Sequence, residues 1–401
     1  MKILWSPLFA LAALTLGPSL AFAQKATFID SFGAPGTGDG QFDTPYDVTV
    51  SSQGSVYVTD SGNHRIQRFS AEGTFEEKWG TMGAGLGQFD HPSGICKAPG
   101  LGDLFICEEG NHRIQRFSDL FVVTHQGVFG SLGSGNGQVN NPIGICHSLV
   151  NGQIYVADRQ NHRMQRFDTS GNYLGQWGGF GNATGQFSSP GGVAANSTSG
   201  LVYVAEEDGN RVQRFSSTGA FQLAWGSTGT GPGQFDAPKC LEIDGRSLVY
   251  VPDLGNSRIQ VFNADGRFLY QVGTFGGGAG QLNDPSGLGL GGDILYVADS
   301  DNDRIVRYQL TDQAPVVTTS GPKTRTVATP TARLSGKARD DLNVDFVEVK
   351  VGKASFRKAK GSKNWIFTAR GLKPGINRIL VRATDLAGTR SKVSTIKLTR
   401  G

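Results

Sequence analysis

The chain has 401 residues, 58 of them glycine and 4 cysteine, with 38 Lys/Arg against 34 Asp/Glu and a formal net charge of +4. Glycine at about twice ordinary usage, with few helix-type patterns, excludes a helical bundle and points to short strands joined by tight turns. The length allows two or more cores.

The opening segment "MKILWSPLFALAALTLGPSLAFA" has one lysine, an apolar run and a small-x-small ending at Ala21, Phe22 and Ala23. It reads as a secretory signal peptide cleaved before Gln24. The run is short and broken by Gly17 and Pro18, unlike a membrane-spanning helix. No later segment is apolar enough to span a bilayer, so the expected location is exported, either periplasmic or extracellular. Cys96, Cys107, Cys146 and Cys240 allow up to two disulfides there, but none sits in a CxxC pair and the spacing is not that of a disulfide framework. They are expected to be mostly buried thiols.

From Gln41 a turn recurs: "GQFDTP", "GQFDHP", "GQVNNP", "GQFSSP", "GQFDAP" and "GQLNDP", with glutamines at 41, 88, 138, 186, 234 and 281. A period near 48 with four strand-like runs per unit is the pattern of a propeller, one blade per repeat. After Leu310 the sixth unit lacks its fourth run, while an unpaired run, "ATFIDSFG", precedes the first turn. Thr27–Phe32 is therefore expected to complete the last blade and remove an open sheet edge.

Within each unit a polar segment recurs, as in "VYVTDSGNHRIQRF", which ends at Phe69. An acid ends the second run (Asp60, Glu108, Asp158, Glu206, Asp253, Asp299), and an arginine starts the third (Arg65, Arg113, Arg163, Arg211, Arg258, Arg304). A carboxylate can accept N–H groups of the following turn and pair with the arginine. Six copies are expected to be internal ties, because repeat units stack through repeated contacts. Histidine occupies only three equivalent positions, His64, His112 and His162, spread around a ring rather than converging as zinc ligands would.

The period, the GQF-x-x-P turn and the "YVxD-x-x-NHRIQRF" segment resemble the NHL-repeat family of six-bladed β-propellers over about residues 25–312. This chain has Arg where the family name implies Leu after Asn-His. The resemblance implies an all-β fold, a six-bladed propeller over 24–312. It leaves function open, since the family includes RNA-binding, sensor and interaction domains, with lyases and lactonases among related propellers.

Function is expected where the copies differ. After each proline the first position reads Tyr46, Ser93, Ile143, Gly191, Lys239, Ser286, and the second is glycine in four of six copies. The fourth reads Thr49, Cys96, Cys146, Ala194, Glu242, Gly289. Small side chains there are expected where blades approach near the axis. Tyr46, Asp47, Lys239 and Glu242 break that rule on blades one and five, which flank blade six and its Ser286. These five are the candidate ligand-binding residues, at the mouth of the central channel. A lone His147 is expected to be structural.

From Ala314 the period stops, and alternating runs such as "NWIFTAR" and "NRILVRATD" predict a β-sandwich over 313–401. The piece "LKPGINRILVRATDLAG" is similar to the late strands of bacterial extracellular Ig-like domains; no cysteine lies there, so an Ig-type disulfide is absent. Charge divides at the same boundary: residues 24–312 carry 18 Lys/Arg and 29 Asp/Glu, and residues 313–401 carry 19 and 5. A basic face including Lys350, Lys353, Arg357, Lys358, Lys360 and Lys363 would favour anionic surfaces such as lipopolysaccharide, acidic polysaccharide or a membrane. Docking onto the acidic propeller of the same chain is the plainer alternative.

No nucleophile elbow, HExxH, EF-hand loop or phosphate-binding loop is present. The expected function is an exported, non-catalytic protein that recognises a protein, peptide or glycan through the propeller, with no cofactor and no metal. The alternative is a propeller enzyme, a metal-dependent lyase or lactonase-like, with its site at the channel mouth. Nucleic acid is disfavoured by export and by the acidic propeller.

Overall fold

The computed structural model describes residues 26–98, 102–119, 123–311, 316–340, 344–386 and 388–401. The predicted signal peptide and the 312/313 boundary lie outside them. No helix among these residues is long and apolar enough to cross a membrane.

Residues 26–310 form six four-stranded antiparallel sheets. In the first, Pro45–Val50, Val56–Asp60, Arg65–Phe69 and Phe75–Trp79 pair in chain order. The first strands contact one another in cyclic order, so the sheets surround a common axis as propeller blades. The sixth sheet is completed by Ala26–Phe32, which pairs antiparallel with Arg304–Leu310, Phe32 opposite Ile305. This is the closure that the missing run predicts, and it gives the sixth blade the fourth strand that its sisters have.

Each core lies between neighbouring blades. Phe42, Val48, Val56, Val58 and Phe69 of blade one pack with Tyr296, Ala298 and Ile305 of blade six. The glycines near the axis have a steric cause. A Cβ at Gly94 would lie 2.1 Å from Ile143 O, and one at Gly287 would lie 2.4 Å from Asp47 Cα, so neighbouring backbones occupy that space.

Blade five departs from its sisters. Its first strand is only Glu242–Ile243, although the sequence pattern predicts a strand entering directly after Pro238. The Lys239 N–H turns to Pro252 O at 3.2 Å and the Cys240 N–H to Ser286 O at 3.4 Å, so Cys240 bonds to blade six instead of its own ladder. All four cysteines are free thiols, three of them buried, and burial raises their pKa values above the ordinary range.

Residues 316–400 form a three-stranded and a five-stranded sheet around one apolar core that includes Trp365, Val347, Ile379 and Leu398. Strict alternation drives this packing: in Asn364–Arg370, Trp365, Phe367 and Ala369 are buried and the residues between them exposed.

Candidate functional site

The repeated polar segment forms a set of six clips. Arg65 Nε donates to Asp60 at 2.6 Å, and the equivalent pairs are Arg113–Glu108 (2.5 Å), Arg163–Asp158 (2.7 Å), Arg211–Glu206 (2.6 Å), Arg258–Asp253 (2.7 Å) and Arg304–Asp299 (2.7 Å). The remaining Arg65 nitrogens donate to the carbonyls of Thr37, Gly38 and Gln41. The second Asp60 oxygen accepts the Asp43 N–H at 2.8 Å. The backbone donor thus comes from the preceding GQF turn, not from the following turn as expected, because that turn lies beside the end of strand two where strand one begins. Gln67 finishes the clip, donating to Asp60 and to Gln41 O and accepting the Gly40 N–H. The sequence reading passed over this glutamine, although it recurs in "RIQRF" and four further copies. Every polar atom of the clip is spoken for within the chain, which gives it a scaffold's chemistry.

Of the five candidate ligand-binding residues, two are consumed by the scaffold. Asp47 is buried; its Oδ1 accepts the Val48 N–H at 2.9 Å and its Oδ2 the Ile95 N–H of blade two at 3.0 Å. The Leu288 amide of blade six and the Cys240 thiol lie near enough to favour its charged form. Asp47 therefore ties blades one and two together near the axis. Burial lifts its carboxyl to about 7, against the pull of those amides. Ser286 is likewise buried, its hydroxyl donating to Tyr46 O at 2.6 Å and sharing a 2.5 Å bond with Ser300 Oγ. Glu242 lies deeper, on a channel cavity of about 110 Å³ lined also by Asp47, Thr49, Cys96, Cys146 and His147. Burial, followed by the nearby Asp47 charge, lifts Glu242 to about 8. Burial lowers His147, whose Nδ1 has no hydrogen-bond partner in the chain.

Tyr46 and Lys239 do come together, at the mouth. Lys239 Nζ stands 4.3 Å over the Tyr46 ring. They share the mouth with Glu109, Asn141, Arg159 and Glu207, which the sequence reading missed. Arg159 Nη2 donates to Glu207 Oε2 at 2.5 Å, and Asn141 Nδ2 to Glu109 at 3.4 Å. Four buried atoms here have no hydrogen-bond partner within the chain: Tyr46 Oη, Asn141 Oδ1, Arg159 Nε and Glu207 Oε1. Burial raises the Tyr46 phenol well above its ordinary value, reinforced by Glu109 and Glu207; burial raises Glu109 while Lys239 opposes it. A signal for the missed residues existed. The position directly after the repeated acid reads Ser61, Glu109, Arg159, Glu207, Leu254 and Ser300, as varied as the acid is constant.

On the same face, large exposed apolar side chains stand six residues before four of the six GQF glutamines. Met82, Leu132, Phe180 and Phe275 are 68, 60, 72 and 71 % exposed, with Pro35 and Thr228 at the other two copies. Each bridges by backbone to the apolar residue after the glutamine, which places it on the mouth face.

Among the described residues, one group of metal-ligand type converges: His64, Asp90 and His91. His64 Nδ1 already accepts the His91 N–H at 3.1 Å. His112 accepts the Asn141 N–H at 3.0 Å and His162 the Ser189 N–H at 3.4 Å, so this imidazole serves the junction between successive blades.

Comparison with known proteins agrees with this architecture. The NHL repeat matches residues 42–69, 139–167 and 187–215, and a 6-bladed beta-propeller family matches 237–324. The chain contains NHL repeats. The chain is 44% identical over 55 residues to the human E3 ubiquitin-protein ligase TRIM32, a match spanning 14% of this chain and 8% of that protein's length. Among solved structures, the propeller is similar to a gluconolactonase from Xanthomonas campestris (TM-score 0.50, 14% identity, 71% of this chain and 97% of that one). A protein of unknown function from Bacteroides thetaiotaomicron is similar at TM-score 0.53 and 15% identity, over 72% of this chain and 76% of that one. At such identities the likeness is one of fold.

Proposed function

We propose that this NHL propeller is a non-catalytic recognition platform of an exported protein, binding a polypeptide across its mouth face. The observation that carries the reading is the group of four buried, unpartnered polar atoms at Tyr46, Asn141, Arg159 and Glu207. Each such atom costs about 1–3 kcal/mol when left unpaired, and a ligand that pairs them recovers that cost. Asn141 Oδ1 and Glu207 Oε1 are acceptors, which suits a donor-bearing side chain such as lysine or arginine, and the exposed apolar ring suits a broad partner. Two further readings belong to the same proposal: residues 1–23 direct export, and residues 313–401 form an Ig-like β-sandwich that adds contact with an anionic surface.

An enzyme of lyase or lactonase type asks for carboxylates converging from several blades on a metal. Asp47 has its oxygens engaged by backbone amides, leaving Glu242 and His147, so binding is the better-supported reading.

The test is a peptide array on the purified chain, followed by Glu207→Gln. Glutamine retains an acceptor for Arg159, so folding is kept, while affinity for the selected peptide should fall about tenfold or more as a charged hydrogen bond is lost. Unchanged affinity with a lowered melting temperature would assign Glu207 to the scaffold.

A further inference from the structure

The basic run singled out in the sequence does not make one free face. Lys358 Nζ stacks 3.9 Å over Phe346, Arg357 lies 5.5 Å over Phe367, and Lys350 lies over Phe356 at 5.8 Å. On the same five-stranded sheet Arg382 is paired with Glu348 at 2.8 Å. The outward face of the three-stranded sheet is different. Its central strand, Thr331–Arg339, buries Ala332, Leu334 and Ala338 and turns Arg333, Lys337 and Arg339 outward, all exposed. The neighbouring strand, Asn364–Arg370, pairs Arg370 opposite Thr331 and also exposes it. Among the described residues none of these four cations has an ion-pair partner, and neither strand places a carboxylate on this face.

We infer that this face binds a linear acidic polysaccharide. At about 3.4 Å per residue, Arg333, Lys337 and Arg339 stand roughly 14 and 7 Å apart in one straight row. A row suits a linear polyanion lying along the strand. Thr331, Ser335, Thr368 and Asn364 stand between and beside the cations, offering hydroxyl and amide groups to sugar hydroxyls. The two strands turn no aromatic ring outward on which bases would stack, which argues against single-stranded nucleic acid. The outward apolar residues of this sheet are Ile366 and, on its third strand Val316–Thr319, Val316, 37 and 62 % exposed; two small aliphatic side chains with no aromatic ring are a poor anchor for a membrane. This inference rests on the reading of residues 313–401 as an anionic-surface module and names its face and ligand.

The experiment measures binding of the full chain to polygalacturonate, with neutral dextran, phosphatidylglycerol vesicles and self-association by sedimentation as parallel arms. Binding to polygalacturonate alone is expected, weakening about tenfold or more between roughly 50 and 200 mM salt. Arg333→Glu with Lys337→Glu should abolish it at an unchanged melting temperature, while Lys350→Glu with Lys358→Glu should change affinity less than about threefold. Failure to bind any polyanion at low salt would overturn both the face and the module's anionic role. Retained binding in Arg333→Glu with Lys337→Glu would overturn the face alone. Binding to vesicles or salt-sensitive self-association in place of polygalacturonate would overturn the polysaccharide.

Discussion

Asp60 and Ser61 are neighbours in the chain, yet their six copies behave oppositely. The acid position is Asp or Glu in every blade, and each acid binds its arginine at 2.5–2.7 Å. One residue later the copies read Ser, Glu, Arg, Glu, Leu and Ser. The first position faces its own blade's loop, where all six surroundings are alike. The second faces the axis, where six blades meet and each contributes once. In a repeat protein, constancy therefore marks contacts within a unit, and departure marks the shared space that a ligand can enter.

The comparison can be broken most severely at the closure. Deleting Ala26–Phe32 opens the Arg304–Leu310 edge of blade six, and the truncated chain should aggregate or melt far below the full one. A truncated protein with the melting temperature of the full chain would refute the role of this strand. Next in size is the clip. Arg163→Ala removes donors from Asp158, Ser134 O, Gly135 O and Gln138 O inside the fold, and should cost roughly 3 kcal/mol in denaturant titration.

The axis gives a third prediction through pH. Folding raises the Asp47 and Glu242 carboxyls from their ordinary values of 3.8 and 4.5 to about 7 and about 8. Between those values the folded chain binds more protons than the unfolded chain, so stability falls as pH rises from about 4 to about 8. Glu242→Gln should flatten that slope in melts taken across the window; an unaltered slope would place its cause elsewhere. The smallest effect is expected for Lys239→Ser, because serine stands at the same position in blades two and six. Its stability cost should stay within about 1 kcal/mol, the scale of one cation–π contact.

Much of the propeller was legible in the sequence because its determinants are local and repeated. The GQF turns, the acid–arginine pairs, the small residues near the axis and the missing sixth fourth strand each depend on spacing within one unit. The mouth was legible only in part. Tyr46 and Lys239 stood out as departures on blades one and five, which flank blade six in a closed ring and so can bring them face to face. Glu109, Arg159 and Glu207 sat inside a turn that looked structural as a whole. Asp47 also looked like a departure, yet the departure serves assembly: its side-chain carboxylate accepts backbone N–H groups of blades one and two, which glycine cannot do. A pattern of difference shows that a position is special without distinguishing a ligand contact from a bond between blades.

The most direct test sets one residue of each kind side by side. Thermal unfolding and peptide affinity should be measured together on Arg163→Ala and Glu207→Gln. Arg163→Ala should lower the melting temperature and, where still folded, keep its affinity. Glu207→Gln should keep its melting temperature and lose about tenfold or more in affinity. A Glu207→Gln protein that melts as low as Arg163→Ala and binds the peptide unchanged would contradict the division between scaffold and mouth.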